Sequence, residues 1–212
     1  RRVLEKLDTY LAMGDCAGAE KHLAYWLNEA EIGNDMRGKL TVLNEQIGLY
    51  RKTGKEAECL NAITAALSLA DSLSIADSAA FGTTLINAAT GYKAFGKAED
   101  ALPLYRKARS IYESILDSND GRLGALYNNM AQALVDLKEF NDARDLYNKA
   151  IAVMEKQENG ALEVAITCLN LADLVWAQLG AEDGEKEIEK YLLKAEKLLN
   201  TESLPRDSYY AF

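Results

Sequence analysis

Histidine is almost absent from this chain of 212 residues, His22 being its one copy, and proline is nearly as scarce, with two. A single imidazole removes most zinc-site and acid–base designs that depend on histidine. With only Pro103 and Pro205 to interrupt them, long stretches are open to continuous helix. The three cysteines, Cys16, Cys59 and Cys168, are odd in number and far apart, so no disulfide framework is implied. Basic residues are outnumbered, 24 Lys and Arg against 33 Asp and Glu, for a formal net charge of −9. Binding to phosphate backbones needs clustered cations, and these are dispersed, which argues against nucleic acid as a partner. No apolar run approaches the roughly 20 residues that cross a bilayer, and no signal peptide opens the chain, so a cytoplasmic location without a membrane partner is expected. Phosphate-binding glycine loops, nucleophile elbows and metal-ligand spacings are missing as well, so neither an enzyme nor a cofactor is expected.

What is present is a repeat. The block Phe81–Arg122, laid on Leu123–Val164 without a gap, matches at ten positions, among them Gly82/Gly124, Asn87/Asn129, Ala89/Ala131, Ala101/Ala143, Tyr105/Tyr147 and Ala108/Ala150. A period of about 42 residues marks a stacked array of one supersecondary unit. Leu123, Leu126, Tyr127, Met130, Ala131 and Leu134 recur at the three-and-four spacing of an amphipathic helix, as do Ala143, Leu146, Tyr147, Ala150, Ile151 and Met154. The short turn Lys138-Glu139-Phe140-Asn141 must fold one helix back on the other, with Asn141 or Asp142 as cap. Gly14, Gly54 and Gly96 mark the same turn in earlier units. A longer turn, Leu179–Gly184, is expected in the fifth unit; its acidic residues read as solvated and do not match a calcium loop.

The array then has units at about 1–34, 35–75, 76–120, 121–160 and 161–200 within one domain spanning 1–212, with 201–212 opening a truncated capping helix after Pro205. Beginning at Arg1 and ending inside a helix-like run, the chain is expected to be a piece of a longer protein. Small residues at Ala89, Ala131 and Ala172 suit close helix crossings, and Cys59 falls at the small position of Ala101 and Ala143.

Asn-x-Ala, a glycine turn, a small residue, then Leu-Tyr and Ala, clearest in Asn87–Ala108 and Asn129–Ala150, resembles the tetratricopeptide repeat. The 42-residue period and Leu126-Tyr127-Asn128-Asn129-Met130-Ala131 resemble its longer kinesin-light-chain type. The resemblance implies an all-α fold, a right-handed α–α superhelix (solenoid) of about five helix-turn-helix repeats. It further implies a scaffold that binds protein or an extended peptide in a concave groove lined by the first helix of each repeat. The family's basic clamp for a peptide carboxylate is missing, since Ile86, Asn128, Thr83, Ala125 and Ile166 stand at its positions.

On that implied groove the candidate binding residues are Asn87, Asn128, Asn129, Asn170, Gln132, Lys93, Arg51, Thr83, Asp173 and Trp176. Asn87, Asn129 and Asn170 hold equivalent places, with Asn44 one position off. Each amide offers a donor and an acceptor to a peptide backbone, or else ties neighbouring helices together. Arg51 and Lys93, then the amides, then Asp173 and Trp176 describe a groove graded from basic to acidic and aromatic. It would orient a peptide with its acidic part near Arg51 and Lys93 and an apolar or basic part near Trp176. His22 reads as structural, and Cys59 and Cys168 as inert core thiols. Two other readings stand: a sensor of a short signalling peptide, and a structural module that pairs two copies into a homodimer.

Overall fold

The computed structural model describes residues 2–73 and 75–201. The expected stop at Pro205 and the helix over Ser208–Phe212 lie outside the described residues. The chain is an all-α repeat solenoid, and its helices are α1 (Arg2–Ala12), α2 (Cys16–Ile32), α3 (Met36–Lys52), α4 (Glu56–Ser72), α5 (Ala79–Ala94), α6 (Ala98–Ile115), α7 (Gly121–Asp136), α8 (Phe140–Met154) and α9 (Ala161–Thr201). They form two compact units, Arg1–Ala108 and Arg109–Phe212, with residues 98–108 of α6 in the first and 109–115 in the second.

One turn design closes the hairpins. Gly14, Gly54 and Gly96 take left-handed φ values of 69°, 69° and 73°. The backbone N–H beyond each returns to a carbonyl of the preceding helix: Asp15 to Tyr10 (2.9 Å), Lys55 to Tyr50 (2.9 Å) and Lys97 to Tyr92 (3.0 Å). This pairing satisfies helix-end carbonyls that would otherwise be orphaned. The turn after α7 repeats it, Glu139 N–H to Leu134 at 2.9 Å, but places Lys138 at φ 63°. Contrary to expectation, neither Asn141 nor Asp142 caps α8: the helix starts at Phe140, and Glu139 precedes it without a side-chain cap bond. Genuine caps are Asp15, Asp35, Ser78 and Asp120, whose side chains accept from the first turns of α2, α3, α5 and α7.

In the first unit the burial phase is strict. Leu40, Val42, Leu43, Gln46, Ile47 and Leu49 of α3 are buried, and residues 42 positions on repeat the pattern in α5, as Gly82, Thr84, Leu85, Ala88, Ala89 and Gly91. Gly91 lies at a close approach, where an added Cβ would come within 2.8 Å of Ile63 Cδ1 and 3.2 Å of Cys59 Sγ, so that the Ile63 side chain would have to shift. At the other end, Leu7, Ala19, Leu23, Val42 and Leu49 form a core cluster. His22 bridges α1 and α2 through Nε2 and the Val3 carbonyl (2.9 Å), half-buried among Tyr10 and Trp26. It is a structural histidine.

In the second unit, Leu123, Gly124, Leu126, Tyr127, Met130, Ala131, Ala133 and Leu134 of α7 are buried. The same pattern enters α9 one residue early, as Val164, Ala165, Thr167, Cys168, Leu171, Ala172, Leu174 and Val175. The expected long turn in the fifth unit is instead a one-residue break at Gly180 (φ 79°, ψ 178°), with helix on both sides. Glu182 and Asp183 lie exposed in the first turn of the following segment, where carboxylates favour the helix dipole. Ala161–Gly180 also corrects the reading of apolar runs, because by length and composition it could cross a membrane. Its apolar face is spent on the core cluster of Met154, Val164, Ala165, Cys168 and Ala195.

The left-handed lysine makes a direct test. Lys138→Gly removes the Cβ strain that the other hairpin turns avoid, and should stabilise the protein by about 0.5–1 kcal/mol, read as a raised urea midpoint at unchanged slope.

Candidate functional site

Each unit has a cleft between neighbouring first helices, and both clefts are built on one polar constellation. In the first unit Asn44 of α3 donates through Nδ2 to its own helix at Leu40 O (2.9 Å) and across to Thr84 Oγ1 (3.1 Å). Its Oδ1 accepts from Asn87 Nδ2 at 2.9 Å. Thr84 Oγ1 in turn donates to Ala80 O (3.1 Å). This clasp forms one wall of a cleft of about 520 Å³, where Arg37, Glu45, Thr83 and Ile75 also line the surface. Asn87 spends one N–H on the clasp.

In the second unit Asn128 of α7 stands where Asn44 does, and Thr167 and Asn170 of α9 stand where Thr84 and Asn87 do. Asn128 Oδ1 accepts from Asn170 Nδ2 (3.0 Å) and lies 3.2 Å from Thr167 Oγ1, whose single proton it shares with the closer Glu163 carbonyl (2.8 Å). Its own Nδ2 has no protein acceptor among the described residues. It lines a cleft of about 360 Å³ with Asn129, Gln132, Glu163, Ile166 and Met154. The amides therefore tie helices together, and those of the second unit keep donors over for the cleft.

The other sequence candidates are scattered. Thr83 and Asn87 line the first cleft, and Asn128, Asn129 and Gln132 the second, whereas Asn170 contributes from behind as the partner of Asn128. Arg51 and Lys93 sit half-buried in the last turns of α3 and α5, outside the cleft linings. Asp173 is exposed on α9. Trp176, 62% exposed, belongs to a separate shallow surface with Ile188, Leu192 and Leu193. Thr90 is spent inside its hairpin, on Ile86 O (2.8 Å) and Tyr105 OH (2.9 Å). Sequence reasoning missed Thr84, Thr167, Glu45 and Glu163. The signal was there in Thr84-Leu85-Ile86-Asn87 and Thr167-Cys168-Leu169-Asn170, the same Thr-x-x-Asn in two first helices. Cys59 and Cys168 are fully buried, and burial pushes both thiols up, away from reactivity.

A family model described as the tetratricopeptide repeat matches residues 82–120 and 123–156. Those two stretches are tetratricopeptide repeats, and the rest of the array shares their helix-pair design. No curated protein matches it. Among solved structures it is similar to BtubC (BKLC) from P. vanneervenii, with a TM-score of 0.80 at 18% identity over 99% of this chain and 85% of that one. It is also similar to the "kinesin light chain nearly identical TPR-like repeats" of Podosopora anserina, with a TM-score of 0.76 at 16% identity over 97% of each chain. A single-substitution form of the latter gives 0.77 at 16% identity, over 95% of this chain and 94% of that one. At such identities the likeness speaks for the fold alone, an all-α array of helix pairs.

Electrostatics distinguish the first cleft. Glu45 is half-buried, and its pKa is raised by burial, with repulsion from Asp8 adding to it. The native state thus holds the Glu45 proton more tightly than the unfolded chain does. Its favourable contribution is full below the unfolded carboxyl pKa and is lost as pH rises through the folded value. Glu45→Gln should therefore melt higher than the wild type near pH 7, with the gain disappearing near pH 4, as read by calorimetry across that range.

Proposed function

We propose that this repeat protein is a non-catalytic module that binds an extended peptide segment of a protein partner in its first-helix clefts. The observation that carries this reading is the row of amide groups over the second cleft. Asn128 retains both N–H donors after its clasp bonds, and Asn129 and Gln132 stand beside it. An extended backbone presents alternating carbonyl and N–H groups, which carboxamides satisfy with little regard for the peptide's side chains. Apolar Met154 and Ile166 on the same surface exclude water from those bonds.

Thermal unfolding against a library of extended peptides tests the reading, since a ligand of the folded state raises the midpoint. Asn129→Ala, which leaves the Asn128 clasp untouched, should weaken the best peptide by about fivefold to tenfold. A library in which no peptide raises the midpoint overturns peptide binding. A second reading, pairing of two copies, rests on the exposure of Trp176 (62%), Leu179 (45%), Leu192 (46%) and Leu193 (57%). Sedimentation that stays monomeric over a wide concentration range would discard it.

A further inference from the structure

The two clefts share a clasp, and at one place where the first has an alanine the second has a carboxyl group. In the first unit the residue four before the clasp threonine is Ala80, whose carbonyl accepts from Thr84. In the second unit that place is Glu163, whose carbonyl accepts from Thr167 at 2.8 Å in the same way. The backbone duty is identical, so the repeat does not call for a carboxyl group there. Glu163 nonetheless lines the cleft, and its Oε2 is buried without a hydrogen-bond partner among the described residues. Among the described residues no lysine or arginine lines this cleft. Four cations of the unit are engaged with other partners: Arg122 with Asp120, Arg144 with Glu187, Lys194 with Glu155 and Lys156 with Asn119. A buried acceptor without a donor is destabilising, and the molecule keeps one at the edge of an amide-lined cleft.

We infer that Glu163 is the receptor for a basic side chain, an arginine or lysine of the bound peptide, and so sets the charge specificity of the second cleft. This rests on the peptide-binding reading above. Glu163 is half-buried as a whole, so rotation about its side-chain torsions presents Oε2 to a ligand. A guanidinium or ammonium group then supplies the missing donors in a partly desolvated setting, where charge-assisted bonds are strongest. Asn128, Asn129 and Gln132 meanwhile hold the peptide backbone. The first cleft has Ala80 at this place, and the one acid on its wall, Glu45, shares that wall with Arg37.

The test uses three probes on the full chain: N-acetyl-Ala-Arg-Ala-amide, the same peptide with the uncharged isostere citrulline, and the free cation agmatine. Side-chain amide resonances of Asn128, Asn129 and Gln132 report the cleft. The arginine peptide should shift them with at least about tenfold higher affinity than the citrulline peptide. Glu163→Gln should erase that preference while the backbone-dependent shifts remain, and Glu163→Ala, which restores the residue of the first unit, should do the same. Equal affinity for both peptides in the wild type, or a preference that survives in both variants, overturns the role of Glu163 and leaves peptide binding standing. Agmatine binding as tightly as the arginine peptide overturns the assignment to a peptide. Amide resonances that move with neither peptide overturn the peptide reading itself, and this inference with it.

Discussion

Two helices approach closely only where something small lies at their crossing, and that constraint governs the rest of this molecule. Ala89 and Ala131 are fully buried at one phase of their helices and Ala172 nearly so; Ala101, Ala143 and Cys59 do the same for the second helices. At Gly91 even a methyl group would collide with Ile63. Such sites resist slip: a shift of one residue would bring Met130 or Gln132 to the place of Ala131, and Asp100 or Leu102 to that of Ala101. The period follows from the crossing, and the turns follow from the period. Tyr105 and Tyr147, both buried, fill the space that small residues leave beside the contact.

A fixed phase has a functional consequence. If the same positions always face the neighbouring hairpin, other positions always face the cleft, and those are released from packing. Asn44 and Asn128 take up a position that in α5 is Ile86, so the amide clasp occurs once in each compact unit. Thr84 and Thr167 are buried polar residues whose hydroxyls are satisfied by their own helix and by that asparagine. The clasp therefore adds polar groups to a close-packed array without orphaning them. Glu163 is the departure from that rule, and it lies at a cleft.

Much of the fold could be read from residues alone. The turns at Gly14, Gly54 and Gly96 were legible because a left-handed helix end has a residue preference that leaves a mark in the sequence. The turn at Lys138 was legible only through the repeat, since lysine carries no such mark. Gly180 misled in the other direction: with Gly184 and two acids it suggested a loop, whereas one glycine at positive φ suffices to break the chain between two helical segments. The run Ala161–Gly180 was underestimated because Glu163, Asn170 and Asp173 interrupt it, although its remaining residues are apolar enough to fill a core. For the site, the asparagine row was visible, but its division into bonded and available donors was not. Hydrogen-bond partners some 42 residues apart depend on how one hairpin leans on the next, which no local pattern records.

By itself, then, the sequence determined the all-helical repeat, the hairpin and the positions of the small residues, because periodicity and turn chemistry are local and leave their record in residue types. Tertiary structure decided which amides are consumed in holding helices together and which retain donors. It also decided that Arg51, Lys93 and Trp176 lie away from the amide clefts, and that one oxygen of Glu163 has no partner among the described residues. Those properties depend on distance between hairpins, and a residue's bonding capacity becomes a site only after its neighbours have taken their share.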